Sequence, residues 1–194
     1  MKVIVGLRNP ERRYDGTRHN VGGEVVEAVA ERWGFRLRRG PRRVAASVAQ
    51  GSIGGVDVIL ALPRVAMNVS GPPVASILRY YGASTDDLLV THDDIDLPFG
   101  RLRLHYGRGS GGHNGVRSIV ATIGSRDFYR LKIGIGRPPG RMDPAAFVLQ
   151  RFGKDERPEI DRLISDAADV IEQYLVDPES AVQAAGGRRP QDPR

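Results

Sequence analysis

At 194 residues with 40% hydrophobic side chains, the chain is long enough to bury the core of one α/β domain and too short for two ordinary ones. Cys is absent, which excludes disulfides, thiolate nucleophiles and the commonest structural zinc sites. The net charge is +6, and Lys occurs only at Lys2, Lys132 and Lys154, so 26 of the 29 basic residues are Arg; planar guanidinium suits a phosphate-bearing partner, while the same Arg-rich, Cys-free, Asn-poor composition also fits a thermophile.

The chain opens with a strand-like run over 2–7 and no apolar leader, and no apolar stretch approaches the roughly 20 residues of a membrane span. A cytoplasmic protein without membrane contact is expected. Asn9-Pro10 breaks the first strand into a loop that reaches His19-Asn20. Val25, Val26, Val29, Ala30 and Trp33 then recur at helical spacing, with Gly34 placed to end the helix. Residues 44–50 and 56–62 read as a β-branched hairpin joined through Gly51, Gly54 and Gly55. Ser70-Gly71-Pro72 starts a second helix, with Gly82 beyond its end.

Residues 88–91 form the next strand, and 101–106 alternate polar and apolar side chains like a half-buried one. The glycine-rich loop 107–112 leads into a helix over 116–123, and 128–135 is the last strand. From Asp155 onward, Ile160, Leu163, Ile164, Ala167, Ala168, Ile171 and Leu175 make one apolar helical stripe. Residues 186–194 lack an apolar anchor and are expected to be a disordered tail behind a domain spanning 1–185. Interleaved strands and helices plus a hairpin predict a single α/β domain with a mixed β-sheet and helices on both faces.

The chain has four Asn, at Asn9, Asn20, Asn68 and Asn114, all in predicted loops or at element ends, and two of them directly follow His19 and His113. A neutral amide both donates and accepts, so such a group can hold a peptide backbone, a ribose hydroxyl or an oxyanion. For Asn114-Gly115 the alternative is a tight turn needing positive φ. His19 follows the first strand, and Asp93, Asp94 and Asp96 lie beyond a later one. Sites in open α/β sheets gather at carboxyl strand ends, where a His–Asp dyad would free one imidazole nitrogen to take a proton from water.

His92, Asp93, Asp94, Asp96 and His113 contain enough donors for a divalent ion, but no HExxH and no thiolate accompany them, and no metal is expected. Gly107 to Gly112 formally matches GxGxxG, yet the acidic partner that should end the following strand is Asp127, at its start. A lid over a site or a plain linker is the alternative, and no cofactor is expected. Arg101, Arg103 and His105 alternate along one strand, and Arg130 and Lys132 along another; they would either clamp a phosphate or be solvated strand faces.

Gly6-Leu7-Arg8-Asn9-Pro10, Tyr14, Thr17-Arg18-His19-Asn20, Met67-Asn68-Val69-Ser70-Gly71, His92-Asp93-Asp94-Ile95-Asp96-Leu97-Pro98, Gly111-Gly112-His113-Asn114-Gly115 and Ile133-Gly134-Ile135-Gly136 occur in this order. The set closely resembles the bacterial peptidyl-tRNA hydrolases. That resemblance implies a phosphorylase/hydrolase-like fold and a monomeric, metal-free enzyme that cleaves the ester between a peptide and the 3′ ribose of its tRNA.

By the same resemblance, His19 is the general base, Asp93 orients it, and Asn9 distinguishes N-blocked from free aminoacyl groups. Asn68 and Asn114 are expected to bind the peptide backbone and the attacked water or oxyanion, and Tyr14 to contact the 3′ end. Ala66, Met67 and His113 complete the expected substrate-binding set, while Arg103, His105 and Lys132 are the expected contacts to tRNA phosphate.

Three positions depart from the family pattern. Ala66 stands where an aromatic residue is usual, Lys132 where Arg is usual, and His105 at a commonly basic position. An RNA-binding protein that keeps the fold without turnover is the competing class; the retained His19, Asp93, Asn68 and Asn114 favour the enzyme.

Overall fold

The structure, a computed structural model, describes residues 1–188. Seven strands, β1 (Lys2–Gly6), β2 (Arg38–Arg39), β3 (Ala46–Ile53), β4 (Val56–Pro63), β5 (Leu88–Asp94), β6 (Leu102–Tyr106) and β7 (Tyr129–Gly134), form one sheet in the order β2-β3-β4-β1-β5-β7-β6. The inner four, β4, β1, β5 and β7, run parallel, and β2, β3 and β6 add antiparallel pairs at the two sides. The inner strands are near-continuous apolar runs because helices cover both faces.

On one face α1 (Val21–Arg32), α5 (Arg157–Val176) and α6 (Pro178–Gly187) enclose Ile4, Leu60, Leu89, Leu104 and Leu131. On the other, α2 (Gly71–Tyr81) and α3 (Asn114–Ile123) cover Val3, Val5, Ile59, Leu88 and Val90. A five-residue helix, α4 (Pro144–Val148), lies between β7 and α5. The expected mixed α/β architecture is therefore the observed one.

The hairpin forms where the glycines indicated, with Ile53 opposite Val56 and Gly54 and Gly55 at φ +57° and +84°. Two successive positive φ values match the right-handed twist of the flanking strands. Its strands consequently run further than expected, to Ile53 and Pro63. Two expectations are corrected. Asn114 and Gly115 do not form a positive-φ turn; they begin α3, two residues before the expected start. Residues 186–188 are not tail: α6 continues to Gly187, and Arg188 pairs with Glu159 and Asp166. The remainder of the expected tail, 189–194, lies outside the described residues.

Leaving β1, the chain crosses one face through α1 to β2 at the sheet edge and returns through β3 to β4 beside β1; leaving β4, it crosses the other face through α2 to reach β5 on the far side of β1. The connections thus reverse direction at β1. A crevice opens at such a switch point outside the carboxyl ends of the strands, and here those ends lead to Asn9 after β1, Asn68 after β4 and Asp93 at the end of β5.

Candidate active site

His19 sits in a buried 3-10 turn, Arg18–Asn20, which leads directly into α1. Three attachments fix this turn. The Arg18 guanidinium reaches away from the cleft, donating to Gln150 O and Arg151 O and holding both Glu156 oxygens at 2.9 and 2.7 Å. It also stacks over Phe147, 4.3 Å from the ring centre. The Asn20 amide clamps the Asn9 backbone, accepting from its N–H at 2.9 Å and donating to its carbonyl at 3.0 Å. Finally, the first turn of α1 rests on β5: a Cβ at Gly22 would lie 2.2 Å from Thr91 O, and Thr91 Oγ1 donates to Gly22 O at 2.7 Å. Only glycine permits that approach, which sets α1 against the strand carrying Asp93.

Asp93 is 2% exposed, and its Oδ1 accepts from His19 Nδ1 at 2.8 Å and from His113 Nε2 at 2.9 Å. Burial raises a carboxyl's pKa, but the two imidazoles outweigh it, and Asp93 is held far below the usual carboxylate range. For His19, burial disfavours the imidazolium; the charge and hydrogen bond of Asp93 exceed that effect and raise the pKa above 6.5. An ionised carboxylate only accepts, so His19 carries its proton on Nδ1, and Nε2 of the neutral ring holds a lone pair.

The tautomer of His113 is fixed by the other end of its ring. Its Nδ1 caps α3, accepting from Gly115 N–H at 3.1 Å and Val116 N–H at 3.3 Å, so the ring proton is on Nε2. The same cap occupies the N–H groups that a dinucleotide pyrophosphate would need at the start of this helix. His92 packs edge-on behind His113, with ring centres 4.7 Å apart, and donates through Nδ1 to Asp93 O. Burial and the neighbouring His113 push its pKa well below 6.5. The ligand atoms of His19, Asp93 and His113 lie within 4.8 Å of one another, a composition able to hold a metal ion. Their 2.8 and 2.9 Å separations, however, are those of N–H···O bonds.

A cleft of about 540 Å³ opens beside the dyad and gathers most of the expected site residues: His19, Asp93, Asn9, Tyr14, Met67, Asn68, His113 and Asn114 all line it. The amides are oriented by their neighbours. Asn9 Oδ1 accepts from Met67 N–H at 2.8 Å, leaving Nδ2 to donate; Asn114 Oδ1 accepts from Arg117 at 2.5 Å, with the same consequence. Asn68 is exposed in the 3-10 turn Met67–Val69. Gly115 packs closely under the cleft: a Cβ there would lie 2.8 Å from Met67 Sδ and 2.9 Å from Leu7 Cδ1, so those side chains would have to shift. Ala66 is exposed before that turn and outside the cleft lining.

The loop 107–112 does border the cleft, through Ser110, Gly111 and Gly112. Its start is anchored: Gly107 N–H donates to Phe128 O, and Gly107 O accepts from Arg130 Nη2 at 2.7 Å. Asp143, Pro144, Ala145, Val148 and Leu149 also line the cleft; they come from α4 and its two caps and were missed in the sequence. The helix's signal was Asp143-Pro144, an N-cap followed by Pro at the first helical position; Asp143 Oδ1 accepts from Ala145 N–H at 3.1 Å.

Arg103, His105 and Lys132 share one face of the β6–β7 pair, with Arg103 opposite Lys132 and His105 opposite Arg130. They do not line the cleft. Lys132 is tied to Asp94 at 2.5 Å, burial and the cations nearby push the His105 pKa down to about 4, and Arg130 is wholly buried. Of the expected phosphate contacts, only Arg103 presents an exposed charge without an acidic partner among the described residues.

A family model described as peptidyl-tRNA hydrolase matches residues 3–192. A peptidyl-tRNA hydrolase of Mycobacterium marinum is 48% identical over 170 residues, covering 88% of either chain. One of Frankia casuarinae is 47% identical over 175 residues, covering 90% of this chain and 88% of the relative. The crystal structure of the peptidyl-tRNA hydrolase of Acinetobacter baumannii superimposes with a TM-score of 0.91 at 35% identity, over 98% of this chain and 97% of that one.

Proposed function

The chain belongs to the peptidyl-tRNA hydrolase family, and from that premise we propose that it hydrolyses the ester between a peptide and the 3′ ribose of tRNA, with His19 as general base. One observation carries the assignment of the base: Nδ1 of His19 is committed to a buried carboxylate at 2.8 Å, which leaves the lone pair of Nε2 for a cleft lined by three asparagines. Nε2 takes a proton as water attacks the acyl carbon. The imidazolium, stabilised by Asp93, then returns that proton to the departing ribose oxygen, giving a free carboxylate peptide and a free ribose hydroxyl.

The amides supply charge-free donors around this step. Asn114 and Asn68 suit the water or oxyanion and the peptide backbone, Asn9 suits the blocked amino end, and Tyr14 at the cleft's edge suits the terminal nucleotide. Since both imidazole N–H groups are satisfied by Asp93, the proposed reaction runs without a metal, and a chelator leaves turnover unchanged; a monomer acting in the cytoplasm is part of the same proposal and rests on the family alone. Among the described residues no helix is long and apolar enough to cross a membrane.

The test follows peptide release from N-acetylaminoacyl-tRNA. His19→Ala is expected to lower kcat by roughly 10²–10⁴-fold, the usual contribution of a general base, with tRNA binding retained. A wild-type protein that binds the tRNA tightly but releases nothing would overturn the proposal.

A further inference from the structure

Residues 33–64 contain six arginines, Arg36, Arg38, Arg39, Arg42, Arg43 and Arg64, and a single acid, Asp57. All six are exposed, and none forms an ion pair with an acidic side chain among the described residues. Asp57 stands opposite Ser52, near the far end of the β3–β4 hairpin, and does not neutralise the group's other end.

The register locates that end. Ala46 faces Pro63 where β4 finishes, Arg39 faces Ser47, Gly40 N–H donates to Ala46 O, and Arg64 N–H donates to Ala45 O at 2.8 Å. Arg39, Arg42, Arg43 and Arg64 therefore gather at the carboxyl edge of the sheet, the edge from which Asn68 enters the cleft. In strand spacings of about 4.8 Å, β4 is one step and β2 three steps from β1, so the patch extends roughly 5–15 Å from the strand that leads to Asn9 and His19. On the β6–β7 side Lys132 is held by Asp94 and Arg130 is buried, whereas Arg39, Arg42, Arg43 and Arg64 are all exposed.

We infer that Arg39, Arg42, Arg43 and Arg64 form a second RNA-binding surface, which grips the phosphodiester backbone of the substrate tRNA on the Asn68 side of the cleft. Guanidinium forks without acidic partners match successive phosphates in charge and geometry. The inference rests on the proposed tRNA substrate and adds where that substrate's backbone lies.

The experiment compares wild type with Arg42→Gln/Arg43→Gln/Arg64→Gln and with the corresponding triple Lys variant, in two readouts. Binding of deacylated tRNA across a salt series reads the patch independently of turnover. Each lost phosphate contact lowers the slope of log K against log salt by about 0.7–0.9, so the Gln triple is expected to lose roughly 2 slope units or more and to bind at least about 10-fold more weakly at low salt. The Lys triple is expected to keep most of the slope.

In turnover, the Gln triple is expected to raise KM for N-acetylaminoacyl-tRNA with kcat unchanged, while cleavage of an N-acetylaminoacyl-adenosine, which lacks upstream phosphates, stays at the wild-type rate. Unchanged tRNA affinity and slope would overturn the inference, as would an equal loss on the nucleoside substrate, which would mark a structural defect. Failure of wild type to release peptide would instead overturn the esterase assignment and leave the binding readout standing.

Discussion

Asp93 Oδ1 serves two donors, and the division of its charge between His19 and His113 sets how basic His19 is. With the pKa of His19 raised above 6.5 in the free enzyme, the basic form is present only at pH values above that pKa. The acid limb of kcat/KM against pH is therefore expected above 6.5. Asp93→Asn removes both influences that raise the pKa and leaves burial, which lowers it. The limb should move below 6.5 while the plateau drops by roughly 10²–10⁴-fold; a limb that stays in place would show that another group is titrating. His113→Asn separates the two roles of His113, since Asn is a good N-cap for α3 but too short to reach Asp93. The expected outcome is near-wild-type melting with the acid limb moved further up. His113→Ala should lose about 1 kcal/mol of capping, read as a lower Tm.

At this scale much of the site was legible. Three of the four scarce asparagines, Asn9, Asn68 and Asn114, line the cleft, while Asn20 braces the Asn9 backbone, and the His–Asp pairing followed from where strands end. The hidden part is direction: that Asn9 spends its oxygen on Met67 and Asn114 spends its oxygen on Arg117 depends on contacts between distant segments.

The elements were legible where a local rule fixes them, as at Gly54-Gly55 in the hairpin and at Gly82, in the left-handed region after α2. They were illegible where packing decides. Gly22 looks unhelpful inside a helix, and nothing in the neighbouring sequence shows that β5 lies against it. Gly22→Ala would drive a methyl group to 2.2 Å from Thr91 O. The expected cost is about 2–3 kcal/mol, seen as a lower urea midpoint at unchanged m. A fall in kcat should accompany it, because Asp93 lies two residues beyond Thr91. Equal stability would mean that α1 is free to shift. Two-residue β2 and five-residue α4 were missed because so short a segment carries no periodicity, and α6 because its small, alanine-rich face makes a weak stripe.

Across the whole molecule, the basic excess is uneven. The acids cluster on α1, α5 and the catalytic loops and consume the arginines near them, while the β2–β3 side keeps its charge free. Composition showed the excess but not this distribution, which depends on which arginines find a carboxylate after folding. The other side of the sheet ends in a closure. Arg188 pairs with Glu159 at 2.6 Å and with Asp166 at 2.7 Å and also donates to Gly100 O, tying the end of α6 to the turn before β6. Arg188→Ala leaves Glu159 with Arg162 alone and is expected to cost about 2 kcal/mol, measured by denaturant unfolding.

That closure also bears on how the protein meets other copies of itself. β6 is the last strand of the sheet on its side, and α6 packs against it with Ala181 and Ala185 in the same apolar cluster as Leu102 and Leu104. A chain cut after Val176 would keep a nearly complete sheet but uncover apolar surface beside an unpaired strand edge, a template for pairing with a second molecule. Such a fragment is expected to self-associate, visible as concentration-dependent light scattering, before it loses its helical circular dichroism. Proteolysis between α5 and α6 would then remove this enzyme by aggregation rather than by unfolding.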